Sequence, residues 1–260
     1  MTTSAEFDEF DRDLDKIEDL IRFVINFRSF GAQASATVVV SDSDFVEAAL
    51  ELHRVSATIR TDLPILVGSL MLYACGRFEY FVGELVKAAA DKEIEKASSY
   101  ADLNKDIRAS LRERLLLILA DPGKYSYLKL SDKQLSTTLA SILVADENKI
   151  PTDIPTQILA STDANMRPLI LRDVLGRVGM KEVWADISKQ APLRTHFDAT
   201  SEATCKVAAT KFLEDLMSLR NSIAHPTASL AFPSPEQALS LCGSLRALSR
   251  AVSDVTQLPR

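Results

Sequence analysis

The chain has 260 residues, 47% of them apolar and 25% charged, with a net charge of −6. That length can bury a real core, as one large domain or two small ones, and the balance excludes a largely disordered chain. The acidic excess argues against a protein that holds long nucleic acid through a general basic face, while leaving room for a locally basic cleft.

Glycine (8) and proline (10) are scarce and strong helix formers are plentiful, so the composition leans towards helix. The opening stretch MTTSAEFDEFDRDLDKIEDL is acidic where a signal peptide would be basic and then apolar, so none is expected. Phe7, Phe10, Leu14, Ile17, Ile21 and Val24 mark the first amphipathic helix. GAQASATVVVS then breaks the period and reads as a loop or one short strand. SDSDFVEAALELHRVSATIR restarts helix behind serine and aspartate caps. The clearest helix begins at Thr61-Asp62 with Pro64 in its first turn, where a missing N–H costs little. Its stripe runs Leu63, Leu66, Val67, Leu70, Met71, Ala74, Cys75, Phe78, Val82, Leu85, Val86 and Ala89. The run Leu63 to Gly76 is the longest without charge, but it is too short to cross a bilayer and fits a buried helix. No membrane association is expected, and a cytoplasmic location is.

A further helix follows Ser99 and stops at Asp-Pro-Gly, and SDKQLSTTLASILV opens with Ser131 and Gln134 at capping-box spacing. Pro151, Pro155 and Pro168 imply irregular connections from Asp146 onwards. LILRDVLGRVGMKEVWADI reads as two short helices or one interrupted helix, and APLRTHFDATS as a loop. Helix resumes up to His225, stops at Pro226, and restarts behind Ser234-Pro235 for a last amphipathic segment. Strand signals are almost absent, so the fold class is all-α, a helical bundle. Cys75, Cys205 and Cys242 are odd in number, widely separated and without a CxxC, which fits reduced core thiols.

The stretch SLRNSIAHPT carries the chemistry. Phe212, Leu216, Leu219 and Ile223 step by four, three and four, and should be core, with Arg220 beside that stripe. His225 follows Asn221 by four residues, so the two can meet on one face. Pro226 disfavours α geometry at His225, which places the imidazole at the fraying end of the helix. Histidine moves protons near neutrality. Arginine stabilises a phosphate through two parallel hydrogen bonds. Asparagine fixes orientation. Attack of an RNA 2′-OH on its own phosphodiester needs such a set and no metal. Against this stands the ordinary preference of Arg and His for the last turn of any helix, which complements the helix dipole.

RNSIAHPT, ending a late helix in an all-α chain, resembles the RNxxxH signature of the HEPN superfamily. Within it the larger, prokaryotic defence-associated subfamilies are the most similar, the RiboL-PSP-like and MAE_28990-like groups. LMLYACGRFEYFVGELV resembles the first core helix of that fold. The resemblance covers roughly 63–91 and 203–252 within a single all-α domain over 1–260; residues 1–60 and about 97–200 are embellishments without an assigned role. It implies a HEPN-type helical bundle acting as a metal-independent endoribonuclease of toxin or anti-phage type. Arg220 and His225 match the catalytic positions, and Asn221 the polar residue between them. It also implies a homodimer whose two motifs face one RNA cleft, with no cofactor. RNA, a structured tRNA loop for instance, is then the expected partner, beside an antitoxin or regulatory protein. The alternative is a catalytically inactive HEPN-like dimer that binds RNA, nucleotide or a protein partner; a plain helical scaffold is the third possibility.

Glu79 shares a line of the apolar stripe with Cys75, Val82 and Val86. A carboxylate there needs a partner or a raised pKa, and the expected partner is Arg220 or His225, the alternative being a charge at the edge of the stripe that faces solvent or a local lysine. Other residues carry less. His53 reads as a surface helix residue, and His196 with Asp198 supplies only two ligands for a metal. Lys105, Arg108, Arg112 and Arg114 form a basic cluster that fits a solvated helix face better than an RNA track.

Overall fold

A computed structural model describes residues 4–32, 43–143, 154–225 and 232–257. The elements are α1 (Ala5–Ala32), α2 (Ser43–Thr58), α3 (Leu63–Lys96), α4 (Lys105–Ala120), α5 (Asp132–Leu143), α6 (Gln157–Ala160), α7 (Pro168–Gly176), α8 (Val183–Ser188), α9 (Ala191–His196), α10 (Glu202–Ala224) and α11 (Pro235–Thr256). Single 3-10 turns lie at Ile59–Thr61 and Ser126–Leu128. Among the described residues there is no strand, as the composition predicts. Most of GAQASATVVVS lies outside them.

Helix α3 is the axis of the molecule, packed by α1, α6, α10 and α11. Asp62 precedes it, Pro64 lies in its first turn, and extended backbone at Ala97 ends it. Its 34 residues are long and apolar enough to span a membrane by length and composition; Val67, Met71, Ala74, Phe78, Val82 and Val86 are spent on the core, while Leu66 of the expected stripe is exposed. All six α1 residues predicted to face inward are buried. Phe7 and Phe10 meet Phe78 and Phe81 of α3 in an aromatic cluster. Burying each such ring contributes about 1.5–3 kcal/mol. Helix α11 runs along α1, tied by Arg246 to Asp15 and Glu18 at 2.9 Å each. Its start is a full capping box, with Ser234 and Gln237 satisfying each other's backbone N–H groups and Pro235 in the first turn. Ser131 and Gln134 do the same for α5.

Two boundaries differ from the sequence expectation. Helix α4 starts at Lys105, because Asn104 caps the N–H of Asp106 at 2.8 Å, while Ser99 closes a turn onto Asp102. APLRTHFDATS is not wholly loop: α9 occupies its first six residues, with Pro192 in the first turn and Leu193 buried. Six residues are too few to display a period. LILRDVLGRVGMKEVWADI divides into two helices, α7 and α8.

The face of α10 also differs. Its buried residues are Cys205, Ala209, Leu213, Leu216, Met217 and Ile223, while Phe212 and Leu219 are only partly covered. At about 100° per residue the inward face is turned roughly 60° from the predicted stripe, towards Leu213 and Met217. Arg220, three residues after Met217, therefore continues the core-facing line instead of flanking it.

Candidate active site

The C-terminal end of α10 meets the middle of α3 across the segment 161–167. His225 is the C-cap residue: its N–H donates to the Asn221 carbonyl at 3.0 Å, and its backbone has already left helical geometry (φ −126°, ψ 70°). Its side chain is exposed, while Arg220 and Asn221 are half-buried. One helix end thus presents a guanidinium drawn in towards the core and an imidazole facing solvent.

The 161–167 segment holds this end in place. Asn165 Nδ2 donates to Asn221 Oδ1, which also lies 3.4 Å from Arg220 Nη1. The Met166 N–H donates to Glu79 Oε1 at 3.2 Å. Arg167 pairs with Glu214 and donates to Ser218 Oγ at 3.3 Å, both within two turns before Arg220. The predicted approach of Asn221 to His225 is realised through backbone only; the Asn221 side chain is engaged by Asn165.

Glu79 is half-buried on α3. Burial pushes its carboxyl above the usual range, partly offset by the Met166 N–H and by the charge of Arg220. It therefore feels Arg220, although the two form no ion pair within 4 Å among the described residues. Cys75, one turn earlier, has its thiol pushed up to about 12 by burial and the charge of Glu79, with Arg220 opposing. Arg220 and Glu79 are two charges at the edge of an apolar core, in a medium where each is strongly felt by its neighbours. Cys75, Cys205 and Cys242 are all free and buried, as expected.

Asn165, Met166 and Arg167 escaped the sequence reading. They lie in a non-periodic stretch ahead of Pro168, where the only cue was its irregularity. The lesser candidates are placed as follows. His53 is half-buried with its ring edge-on to Phe30, and His196 Nε2 lies 3.0 Å from Ser244 Oγ. Asp198 has positive φ (49°) after α9. Among the described residues no three His, Cys, Asp or Glu side chains group as a metal site. The basic cluster on α4 is not one solvated face. Lys105 and Arg112 are exposed, Arg108 lies over Tyr100, and Arg114 is buried against Ser161, because its position falls on the inward face with Leu111 and Leu115.

A family model described as RiboL-PSP-HEPN matches residues 44–256, which takes in the region between the two core segments. No curated protein and no solved structure matches the chain.

Proposed function

This chain belongs to the RiboL-PSP-HEPN family, and we propose that it is an endoribonuclease of toxin or anti-phage type that cuts RNA without a metal ion. The 2′-OH attacks the adjacent phosphorus, the bond from phosphorus to O5′ breaks, and the products carry a 2′,3′-cyclic phosphate and a 5′-OH. His225 moves the proton. Its place at a helix end, exposed and beyond the last helical turn, suits a group that must reach a substrate from solvent. Arg220 stabilises the extra negative charge on the pentacoordinate phosphorus, and its partial burial strengthens that interaction by excluding water. Asn221 positions the two. Glu79 lies behind Arg220 as its electrostatic support.

One chain supplies one such set, so the working unit is a homodimer with two motifs at one RNA cleft. Restraint by an antitoxin or regulatory protein completes the reading, which takes RNA, tRNA in particular, as the target and a cytoplasmic setting.

The single observation that carries this is the RNxxxH end of α10, with Asn221 held by the 161–167 segment, Arg220 half-buried within the field of Glu79 on α3, and His225 exposed. The test is cleavage of total RNA and tRNA by purified protein in EDTA, with product ends mapped. His225→Ala and Arg220→Ala should each lose roughly 10²-fold or more in rate. Full activity in both variants, folded as the parent is, sinks the proposal.

A further inference from the structure

A large cleft of the described structure lies away from the motif. It holds about 610 Å³ between α4, α7, α8 and the first turns of α10. Lys206, on its wall, precedes Arg220 by fourteen residues of α10, roughly 20 Å along the axis. Two of the charge pairs on its wall neutralise themselves: Lys181 with Asp106 at 2.9 Å, and Arg177 with Asp173 at 2.7 Å.

The remaining charges have no such partners. Arg114 is only 7% exposed, yet it forms no ion pair with any described residue. Its Nε and Nη2 both donate to Ser161 Oγ, at 3.1 and 2.9 Å, and its guanidinium lies 5.4 Å from the Tyr125 ring. Asp163, whose carboxyl feels the Arg114 charge, is already paired with Lys124. Nη1 makes no hydrogen bond to any described residue and is not among the nitrogens sealed from solvent without a partner, and Arg114 itself lines the cleft. A buried cation without a counter-charge is costly, and the cost falls when an anion is supplied. Arg172 and Lys206 face the same cleft, are exposed, and form no ion pair with any described residue. Glu113 and Glu182 line it too, equally without ion pairs.

We propose that this cleft binds a phosphate monoester carried on a hydroxyl-bearing body, a sugar phosphate or a nucleoside monophosphate. The guanidinium groups match phosphate oxygens in pairs, and Lys206 adds a point charge. The two carboxylates accept only, so they call for a ligand that also presents O–H or N–H donors, which inorganic phosphate alone does not do well. The volume lies in the range of small-molecule sites and well above that of one phosphate.

Titration calorimetry on the full chain with ribose 5-phosphate, AMP and inorganic phosphate tests this. One monoester should bind saturably, one per chain. Its Kd should rise at least about tenfold in the double variant Arg172→Ala/Lys206→Ala, which removes two charge-assisted contacts. Gly176→Gln should have the same effect by obstruction: Gly176 lines the cleft, and a Cβ there meets nothing within 4 Å, so a side chain can start from it without a clash. Unaltered thermal unfolding would show that both variants fold. Arg220→Ala should leave binding intact. AMP binding more tightly than ribose 5-phosphate assigns the body to a nucleoside; equal affinity assigns it to the sugar phosphate alone. The proposal is overturned if neither monoester binds, if inorganic phosphate binds as tightly as both, if binding survives the double variant, or if it is lost in Arg220→Ala. Because binding is read without cleavage, its failure and that of the ribonuclease reading are separate results.

Discussion

At Glu79, burial and charge pull in opposite directions. Burial raises the carboxyl pKa, while the Met166 N–H and the Arg220 charge draw it back without restoring the usual value of 4.5. Between 4.5 and the raised folded value the native state holds more proton than the unfolded chain. Stability linked to this group is therefore full below 4.5 and declines as pH rises through the folded pKa. Glu79→Gln, which mimics the neutral acid, removes that decline. In thermal unfolding the variant should match the parent near pH 4 and exceed it at pH 7, by an amount set by this shift. A parent that gains stability over the variant with rising pH would mean that the charge of Arg220 and the Met166 N–H outweigh burial. The same substitution should lower RNA cleavage, since the field that holds Arg220 is gone, so stability and activity should move in opposite directions.

On the scale of elements, the decisive piece is the segment 161–167, a stretch without helix that joins α3 to α10 by side-chain and backbone hydrogen bonds. Asn165 holds Asn221, Met166 holds Glu79, and Arg167 holds Glu214 and Ser218. Asn165→Ala and Asn165→Asp should both lower kcat/KM roughly tenfold, the loss of about 1–1.5 kcal/mol of positioning. The aspartate is the sharper test: it has the same shape but cannot donate to Asn221 Oδ1. The loss should fall on kcat, with KM nearly unchanged, and an Asn165→Asp variant with parental kcat removes the positioning role. This segment also shows where the sequence stops being legible. The inward face of α1 could be read residue by residue, because 28 helical residues repeat their period many times. The caps at Ser131 and Ser234 were legible because their chemistry is local. On α10 the apolar residues include both Phe212-Leu219 and Leu213-Met217, two overlapping stripes, and only packing against α3, α8 and α11 decides between them. The Arg220–Asn221–His225 set was legible as a motif, whereas Asn165, 56 residues away in sequence, is joined to it by the fold alone.

For the whole molecule, the question is how one chain, with one Arg220 and one His225, makes a complete site. The outward face of α3 offers a surface for a second copy. Ile65, Tyr73 and Tyr80 are 55%, 54% and 48% exposed there, on the helix whose other sides carry Gly68 against Ile223 and Glu79 near Arg220. Aromatic and aliphatic side chains left half-exposed along one helix are what a two-fold contact would bury. A two-fold axis through this face would place each introduced charge near its own copy, so Ile65→Glu/Tyr73→Glu should repel strongly. Light scattering after size exclusion should show a dimer for the parent and a monomer for the variant, with unaltered helicity because both positions are exposed. The monomer should lose RNA cleavage, since the second motif is gone. It should keep phosphate monoester binding, because every residue of that cleft comes from one chain. A parent that runs as a monomer at the concentration where it cuts RNA would remove the composite site. Loss of both properties in the variant would instead tie the cleft to the dimer.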